Sequence, residues 1–217
     1  MLLSRLQTLI GGIYDVSVAY DVYDFLVTDR RSLPATAHSG LADEELIVAE
    51  SADGAEMGLS LYLDAAVLER LKSADPLVEL NAGNVADWWT ALEGVSHFLY
   101  LAWNAGHDKP VSLLELEMQA EVDKYVASYY LMRRQYPRHF PAELRRVLFE
   151  RTRIDPRLAH ERRRLYAEAH RYAARFCRRL EERLTRAAYG EREVLTELRR
   201  FYRLSTGRKR AHIERTS

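Results

Sequence analysis

Hydrophobic positions along the chain recur mostly at spacings of three and four, which predicts a predominantly helical protein. This spacing covers Leu2–Ile10, stops at Gly11-Gly12, and dominates again from Asp64 to Tyr202. The period-two alternation that is typical of strands is confined to the first third of the chain. The pattern therefore predicts an α+β fold, in which a small antiparallel sheet near the N-terminus packs on a helical bundle.

Alternation indicates three candidate strands in this first third. Leu46–Ser51 and Met57–Leu63 predict a hairpin whose turn is Ala52-Asp53-Gly54. Tyr14–Val22 also alternates, and we predict it as a third strand because a lone hairpin is marginal in water. A helix is the alternative for this stretch, since helical spacing also aligns Ile13, Val16, Tyr20, Tyr23 and Val27.

Capping residues and prolines divide the remaining chain into helices. Asp64 is placed to cap a short helix that runs through Lys72, and a central helix pair follows within residues 84–133. Pro137 and Pro141 end this pair and precede a short helix to about Arg151. A long helix is predicted from Asp155-Pro156 to about Tyr189, followed by a last helix after Gly190.

Charge divides the chain more sharply than hydrophobicity does. Residues 1–132 contain 7 basic and 21 acidic side chains, whereas residues 133–217 contain 25 basic and 11 acidic ones. We therefore predict an acidic core over residues 1–136, a basic helical hairpin over 137–204 and a flexible tail over 205–217. We expect the two halves to pack together and partly neutralise each other; the alternative is a basic half that faces a polyanion.

Several broad classes of protein are disfavoured by composition. No apolar run approaches the ~18 residues that a membrane span requires, and the N-terminus lacks the zones of a signal peptide. The single cysteine, Cys177, excludes an intramolecular disulfide framework and a multi-cysteine zinc site. We expect a cytoplasmic protein without a membrane partner.

The central helix pair carries the one candidate site. Helical spacing places Glu93 and His97 on one stripe, and Glu117 and Glu121 lie at the edge of the apolar face of the next helix. Because a short connection joins the two helices, they should be antiparallel, with His97 level with Glu117 and Glu121. Three carboxylates and one imidazole would then converge between facing helices.

Two interpretations of this cluster stay open. Carboxylate and imidazole groups are ligands for Mn, Fe or Zn, so a divalent metal site is one hypothesis. The other is a buried network of hydrogen bonds and ion pairs, completed by Lys124 or by an arginine of the basic half, since buried acids need partners. The Glu-x-x-x-His spacing differs from the Glu-x-x-His of known carboxylate-bridged bundles, which favours the network.

Clustered basic residues form the second candidate surface. They are Arg162, Arg163, Arg164, Arg178, Arg179, Arg208, Lys209 and Arg210. Interleaved glutamates would repel phosphate and can pair locally, which favours a solvated or internally paired face over nucleic-acid contact.

Three functions follow from these observations. The preferred hypothesis is a non-enzymatic cytoplasmic adaptor that binds a protein partner, or a second copy of itself, through its basic helices. It is preferred because no Gly-x-Ser-x-Gly motif, glycine-rich phosphate loop or His-Glu-x-x-His motif occurs in the sequence. The alternatives are a metal-dependent hydrolase or oxidase with the Glu/His site, and a nucleic-acid-binding protein.

Overall fold

The computed structural model of the chain describes residues 1–33, 42–50, 57–151, 154–186 and 190–215. Over these residues the fold has eight α-helices and one three-stranded sheet, which confirms a predominantly helical α+β class. No helix within the described ranges has both the length and the apolar composition that crossing a membrane requires.

The first helix, α1, covers Leu2–Tyr14 and continues through the two glycines that were expected to end it. It ends at Asp15, whose φ of 55° is left-handed. Gly11 is needed inside the helix, because a Cβ there would lie 2.8 Å from the Val16 carbonyl oxygen of the chain leaving α1. The predicted strand over Tyr14–Val22 is therefore wrong. Apolar residues of this stretch pack on the core from the end of α1 and from an irregular segment.

The sheet is mixed rather than purely antiparallel. Strands β1, β2 and β3 cover Leu26–Val27, Glu44–Glu50 and Met57–Leu63, in the order β1-β3-β2. Strand β2 pairs with β3 in antiparallel fashion, with Glu44 opposite Leu63, which confirms the two predicted hairpin strands. The predicted turn between them lies outside the described residues. The third strand is the two-residue β1, which pairs in parallel with β3. A two-residue strand is too short for alternation to reveal.

Among the described residues, six of the remaining helices follow the predicted order, and the last one lies where a flexible tail was predicted. The remaining helices are α2 (Ala65–Ser73), α3 (Val85–Ala105), α4 (Leu113–Gln135), α5 (Leu144–Glu150), α6 (His160–Thr185), α7 (Glu191–Tyr202) and α8 (Thr206–Glu214). Asp64 caps α2 by accepting from the Ala66 amide, and Ser112 caps α4 by accepting from the Glu115 amide. Because α6 packs on α4 and α7 packs on α1, the basic half packs against the acidic half.

The central helices α3 and α4 are antiparallel, as their short connection predicts. Trp88, near the start of α3, donates from Nε1 to the Ser128 hydroxyl at 2.9 Å, near the end of α4. At the other end of the pair, the Tyr100 hydroxyl donates to Glu115 in the first turn of α4. This register places the middle of α3 beside the first half of α4, where the candidate site lies.

Residues 205–215 are not the flexible tail that their polar composition predicts. Thr206–Glu214 form α8, in which Lys209 and Ile213 lie one turn apart and are both fully buried. The Lys209 ammonium donates to Gln119 at 2.6 Å and lies over the Tyr100 ring at 4.5 Å from the centroid. Burial lowers the pKa of Lys209 to about 7. The polar composition did not predict this helix, because the burial of Lys209 depends on partners from α3 and α4.

A buried polar network connects α8 to the centre of the molecule. The Asp123 carboxylate accepts hydrogen bonds from the hydroxyls of Tyr14 and Ser96 and from the Gln119 amide, whose oxygen accepts from Lys209. Burial outweighs these hydrogen bonds and raises the pKa of Asp123 to about 6. Since each of these groups has a partner, the network is a structural connection between α1, α3, α4 and α8.

Candidate metal centre

The candidate site lies where α3, α4 and β2 meet. Glu93 and His97 are one turn apart on α3, Glu117 comes from the first half of α4, and Glu44 is the first residue of β2. His97 is only 4% exposed and lies between two of these carboxylates. Its Nδ1 is 3.4 Å from Oε1 of Glu44, and its Nε2 is 3.7 Å from Oε2 of Glu117.

The two nitrogens of His97 are in different situations. Nδ1 has Glu44 as its hydrogen-bond partner, whereas Nε2 is buried and has no hydrogen-bond partner among the described residues. A buried polar atom without a hydrogen-bond partner is uncommon in folded proteins, and a bound water molecule or ion is one explanation for it. Nε2 of the neutral imidazole is therefore the atom of this site through which a further group would bind.

Electrostatics inside the site couple the imidazole to the acids. Burial alone would lower the pKa of His97, but the carboxylates of Glu117 and Glu44 outweigh it and raise that pKa to about 9. Burial also raises the pKa of Glu117 to about 7 and raises that of Glu44. A cationic imidazole thus compensates the buried acids, and a bound metal cation would take over that role.

Three groups of the site lie close enough to share one metal ion. Single ligand atoms of Glu93, His97 and Glu117 all lie within 4.8 Å of one another. Two ligands at about 2.1 Å from a tetrahedral metal would be separated by about 3.4 Å. The 3.7 Å between Nε2 of His97 and Oε2 of Glu117 is near that value. Separations of up to 4.8 Å between the three atoms would have to shorten for all of them to bind one ion.

Glu121, the fourth ligand predicted from the sequence, lies in a separate ion-pair network. Its two oxygens accept from Lys124 at 2.9 Å and from Nδ1 of His170 at 2.9 Å. Burial would raise its pKa, but Lys124 and His170 outweigh burial and lower the pKa of Glu121 to about 2. Lys124 also pairs with Glu93 at 2.6 Å. The predicted structural network with Lys124 thus exists, and it joins Glu121 to Glu93 of the candidate site.

The site opens into a cavity of about 370 Å³. Glu44, Glu93, His97 and Glu117 line one wall, and Arg162 and Tyr166 of α6 line another. This volume lies within the range of about 300–1,000 Å³ that is common for small-molecule sites. Glu121 does not line the cavity, which is consistent with its role in the neighbouring ion pairs.

Glu44 is the site residue that the sequence analysis missed. Gly94 was the available signal, because a glycine inside a helix can mark a close approach of another element. A Cβ at Gly94 would lie 2.8 Å from Cδ1 of Leu61 and 2.9 Å from Cγ of Glu44. The absence of a side chain at Gly94 lets the sheet approach α3 and brings Glu44 to His97.

The predicted basic surface is dispersed in the structure. Lys209 is buried, Arg179 donates to the Ile213 carbonyl, and Arg210 donates to the Tyr172 hydroxyl. The remaining members are the cavity-lining Arg162, the Glu182-paired Arg178, and the exposed Arg163, Arg164 and Arg208. The structure therefore does not present these eight residues together as free cations for a polyanion.

The site is thus a buried imidazole and several carboxylates at the wall of a cavity, and one imidazole nitrogen has no hydrogen-bond partner among the described residues. In comparisons with protein-family models, with curated proteins and with solved structures, nothing matched this chain. The geometry of the site is therefore the basis on which its function has to be inferred.

Proposed function

We propose that this protein is a metal-dependent enzyme that binds one divalent cation through Glu93, His97 and Glu117. The observation that carries the proposal is the buried Nε2 of His97, which faces Glu117 and has no hydrogen-bond partner among the described residues. Nε2 is 3.7 Å from Oε2 of Glu117, too far for a hydrogen bond, whereas both oxygens of Glu121 accept hydrogen bonds from Lys124 and His170.

Glu44 has a supporting role in this proposal. Histidines that bind metals usually donate from their other ring nitrogen to a carboxylate, which fixes the tautomer and the ring orientation. Glu44 Oε1, at 3.4 Å from Nδ1 of His97, is placed for this task. Three protein ligands would leave coordination positions open toward the cavity, as in catalytic rather than structural metal sites.

The ligand set favours hydrolysis among the reactions considered. A divalent ion at such a site supplies Lewis acidity and makes bound water more acidic. Two carboxylates and one imidazole suit Mn²⁺ or Zn²⁺, whereas iron oxygenases typically use two histidines and one carboxylate. The cavity then holds the substrate, and the buried walls around His97 and Glu117 limit the access of other water molecules.

The test is a metal titration with a matched pair of variants. After chelation and dialysis, the wild-type protein should bind close to one equivalent of Mn²⁺ or Zn²⁺ by calorimetry. Glu117→Gln should weaken that affinity at least ~100-fold, because it removes a ligand oxygen and not only an outer-shell contact. Asp43→Asn is the control, since Asp43 also lines the cavity but is exposed and is not a proposed ligand.

Two results would overturn the proposal. One is the absence of stoichiometric binding of either ion by folded wild-type protein. The other is an equal loss of affinity in Glu117→Gln and Asp43→Asn, which would mean that the cavity attracts cations only through its total charge.

A second prediction concerns the position of Glu44. In Gly94→Ala, the new methyl group should push Glu44 away from His97 and weaken metal affinity roughly 10-fold or more. The free energy of unfolding should fall by about 0–2 kcal/mol, because overpacking costs about 1–3 kcal/mol while the better helix propensity of alanine returns about 1 kcal/mol. Calorimetry with the metal and urea unfolding of the metal-free protein measure the two effects separately.

Gly12→Ala is the matched control for this variant. Gly12 also lies inside a helix, but a Cβ there meets nothing within 4 Å. The Gly12→Ala variant should gain up to about 1 kcal/mol in free energy of unfolding, and its metal affinity should be unchanged. If Gly94→Ala binds the metal as tightly as Gly12→Ala does, Glu44 does not position His97.

The other predicted roles stay predictions. The large exposed apolar side chains in the described part of the chain are Met1, Tyr20, Val48, Val78, Leu113 and Tyr136. An adaptor or homo-oligomer would be detected by a mass that rises with concentration, and a nucleic-acid complex by an affinity that falls steeply with salt. Cytoplasmic localisation stays a prediction as well.

A further inference from the structure

We infer that the cavity binds a small oxyanion, a phosphate or carboxylate group of the substrate, between Arg162 and the proposed metal ligands. This inference rests on the proposed function and names the class of its substrate. The wall that α6 contributes to the cavity, with Arg162 and Tyr166, is chemically unlike the acidic wall formed by α3, α4 and β2.

Arg162 is the available cation of this cavity. Among the other charged side chains that line the cavity, Glu45 pairs with Arg30 at 3.8 Å and Asp155 pairs with Arg157 at 2.6 Å, while Asp43 is exposed. Arg162 lines the cavity and forms no ion pair or hydrogen bond with the described residues. A guanidinium that faces a cavity without a partner is suited to bidentate recognition of carboxylate or phosphate.

The N-terminus of α6 adds a second attraction for an anion. The helix begins at His160, and its cap residue Ala159 has no side-chain oxygen to accept from the first amides. Leu158 and Arg162, on either side of this start, both line the cavity. Uncapped amides and the helix dipole make this end of a 26-residue helix favourable for negative charge.

Tyr166 supplies a hydrogen-bond donor one turn further along α6. It lines the same cavity as Arg162. Burial raises the pKa of Tyr166 to about 12, so its hydroxyl keeps its proton at neutral pH and can donate to an oxyanion. Arg162, the start of α6 and Tyr166 thus place donors on one wall.

The acidic residues of the proposed metal site line the same cavity, and each of them has a partner. Glu93 pairs with Lys124, and the carboxylates of Glu44 and Glu117 both lie beside His97. A divalent cation at Nε2 of His97 would further neutralise the acidic wall. An oxyanion could then approach the metal on one side and Arg162 on the other, which is the arrangement needed to orient a substrate.

Equilibrium dialysis with radiolabelled inorganic phosphate or acetate, with and without Mn²⁺, tests this inference. The two probes distinguish a phosphate substrate from a carboxylate one. Arg162→Gln should weaken binding of the preferred probe roughly 10-fold or more, as expected for loss of a charged hydrogen bond. Metal analysis of the same dialysis cells should give equal Mn²⁺ contents for wild type and variant.

Arg163→Gln is the matched control, because Arg163 is the next residue of α6, is exposed and does not line the cavity. Equal binding of the probes by the Arg162 and Arg163 variants, or no binding to wild type at millimolar concentration, would overturn the inference. If Mn²⁺ fails to bind while Arg162→Gln still loses the anion selectively, the proposed metal function fails and the oxyanion site stands.

Discussion

Asp123→Ala is expected to lower the free energy of unfolding by roughly 3–5 kcal/mol, the usual cost of breaking a buried charged network. The substitution removes the acceptor of three buried donors, from Tyr14, Ser96 and Gln119. Each donor that is left without a partner costs about 1–3 kcal/mol, although such costs do not add fully. Because domains are stable by only about 5–15 kcal/mol, the loss should be obvious in urea or thermal unfolding.

Milder substitutions keep this prediction measurable if the alanine variant does not fold. Tyr14→Phe removes one donor and should cost about 1 kcal/mol, whereas Asp123→Asn keeps the shape and one acceptor. A loss below about 1 kcal/mol for Asp123→Ala would contradict the prediction and would mean that water or a rearrangement satisfies the three donors.

The free energy of unfolding should also depend on pH through the carboxyl group of Asp123, and it should fall as the pH rises. Burial raises the pKa of Asp123 from 3.8 to about 6, so the folded state favours the protonated acid. The stability that the folded state gains by favouring the protonated carboxyl group of Asp123 is fully present below pH 3.8. It is lost as the pH rises through about 6. Relative to Asp123→Asn, the wild type should lose on the order of 3 kcal/mol between about pH 4 and 7. A difference between the two proteins that is independent of pH would contradict this cause.

The second large effect concerns His97. At a metal concentration of about 100 times Kd, a ligand that binds only the folded state stabilises it by about 2.7 kcal/mol. If His97→Gln raises Kd at least ~100-fold by removing the one nitrogen ligand, the same metal concentration should stabilise the variant by about 0.4 kcal/mol or less. Urea unfolding with and without Mn²⁺ measures this difference.

His170→Gln is the control for loss of a histidine in an ion pair. His170 contacts Glu121 in the network beside the site and is not a proposed ligand. It should lower the stability of the metal-free protein but keep the full stabilisation by Mn²⁺. If the two histidine variants lose this stabilisation equally, His97 is not a ligand.

Local sequence determined much of the framework. Spacing at three and four residues and the capping residues Asp64 and Ser112 predict α2, α3 and α4, and alternation predicts β2 and β3. These features depend on neighbours within a few positions, so the sequence records them directly. It also predicted that Glu93, His97 and Glu117 meet, because a short connection between two helices restricts their register.

Tertiary structure decided which residues complete the site and which do not. Glu44 meets His97 across 53 positions, and His170 takes Glu121 into another network across 49 positions. These contacts form because β2 and α6 pack on the central helices. A pattern within a few neighbouring residues does not predict that packing. The burial of Lys209 in α8 has the same origin, since its partners lie on α3 and α4. The sequence by itself determined helices α1 to α7 and three groups of the candidate site. Only the tertiary structure selected their remaining partners, because contacts over long separations depend on how whole elements pack.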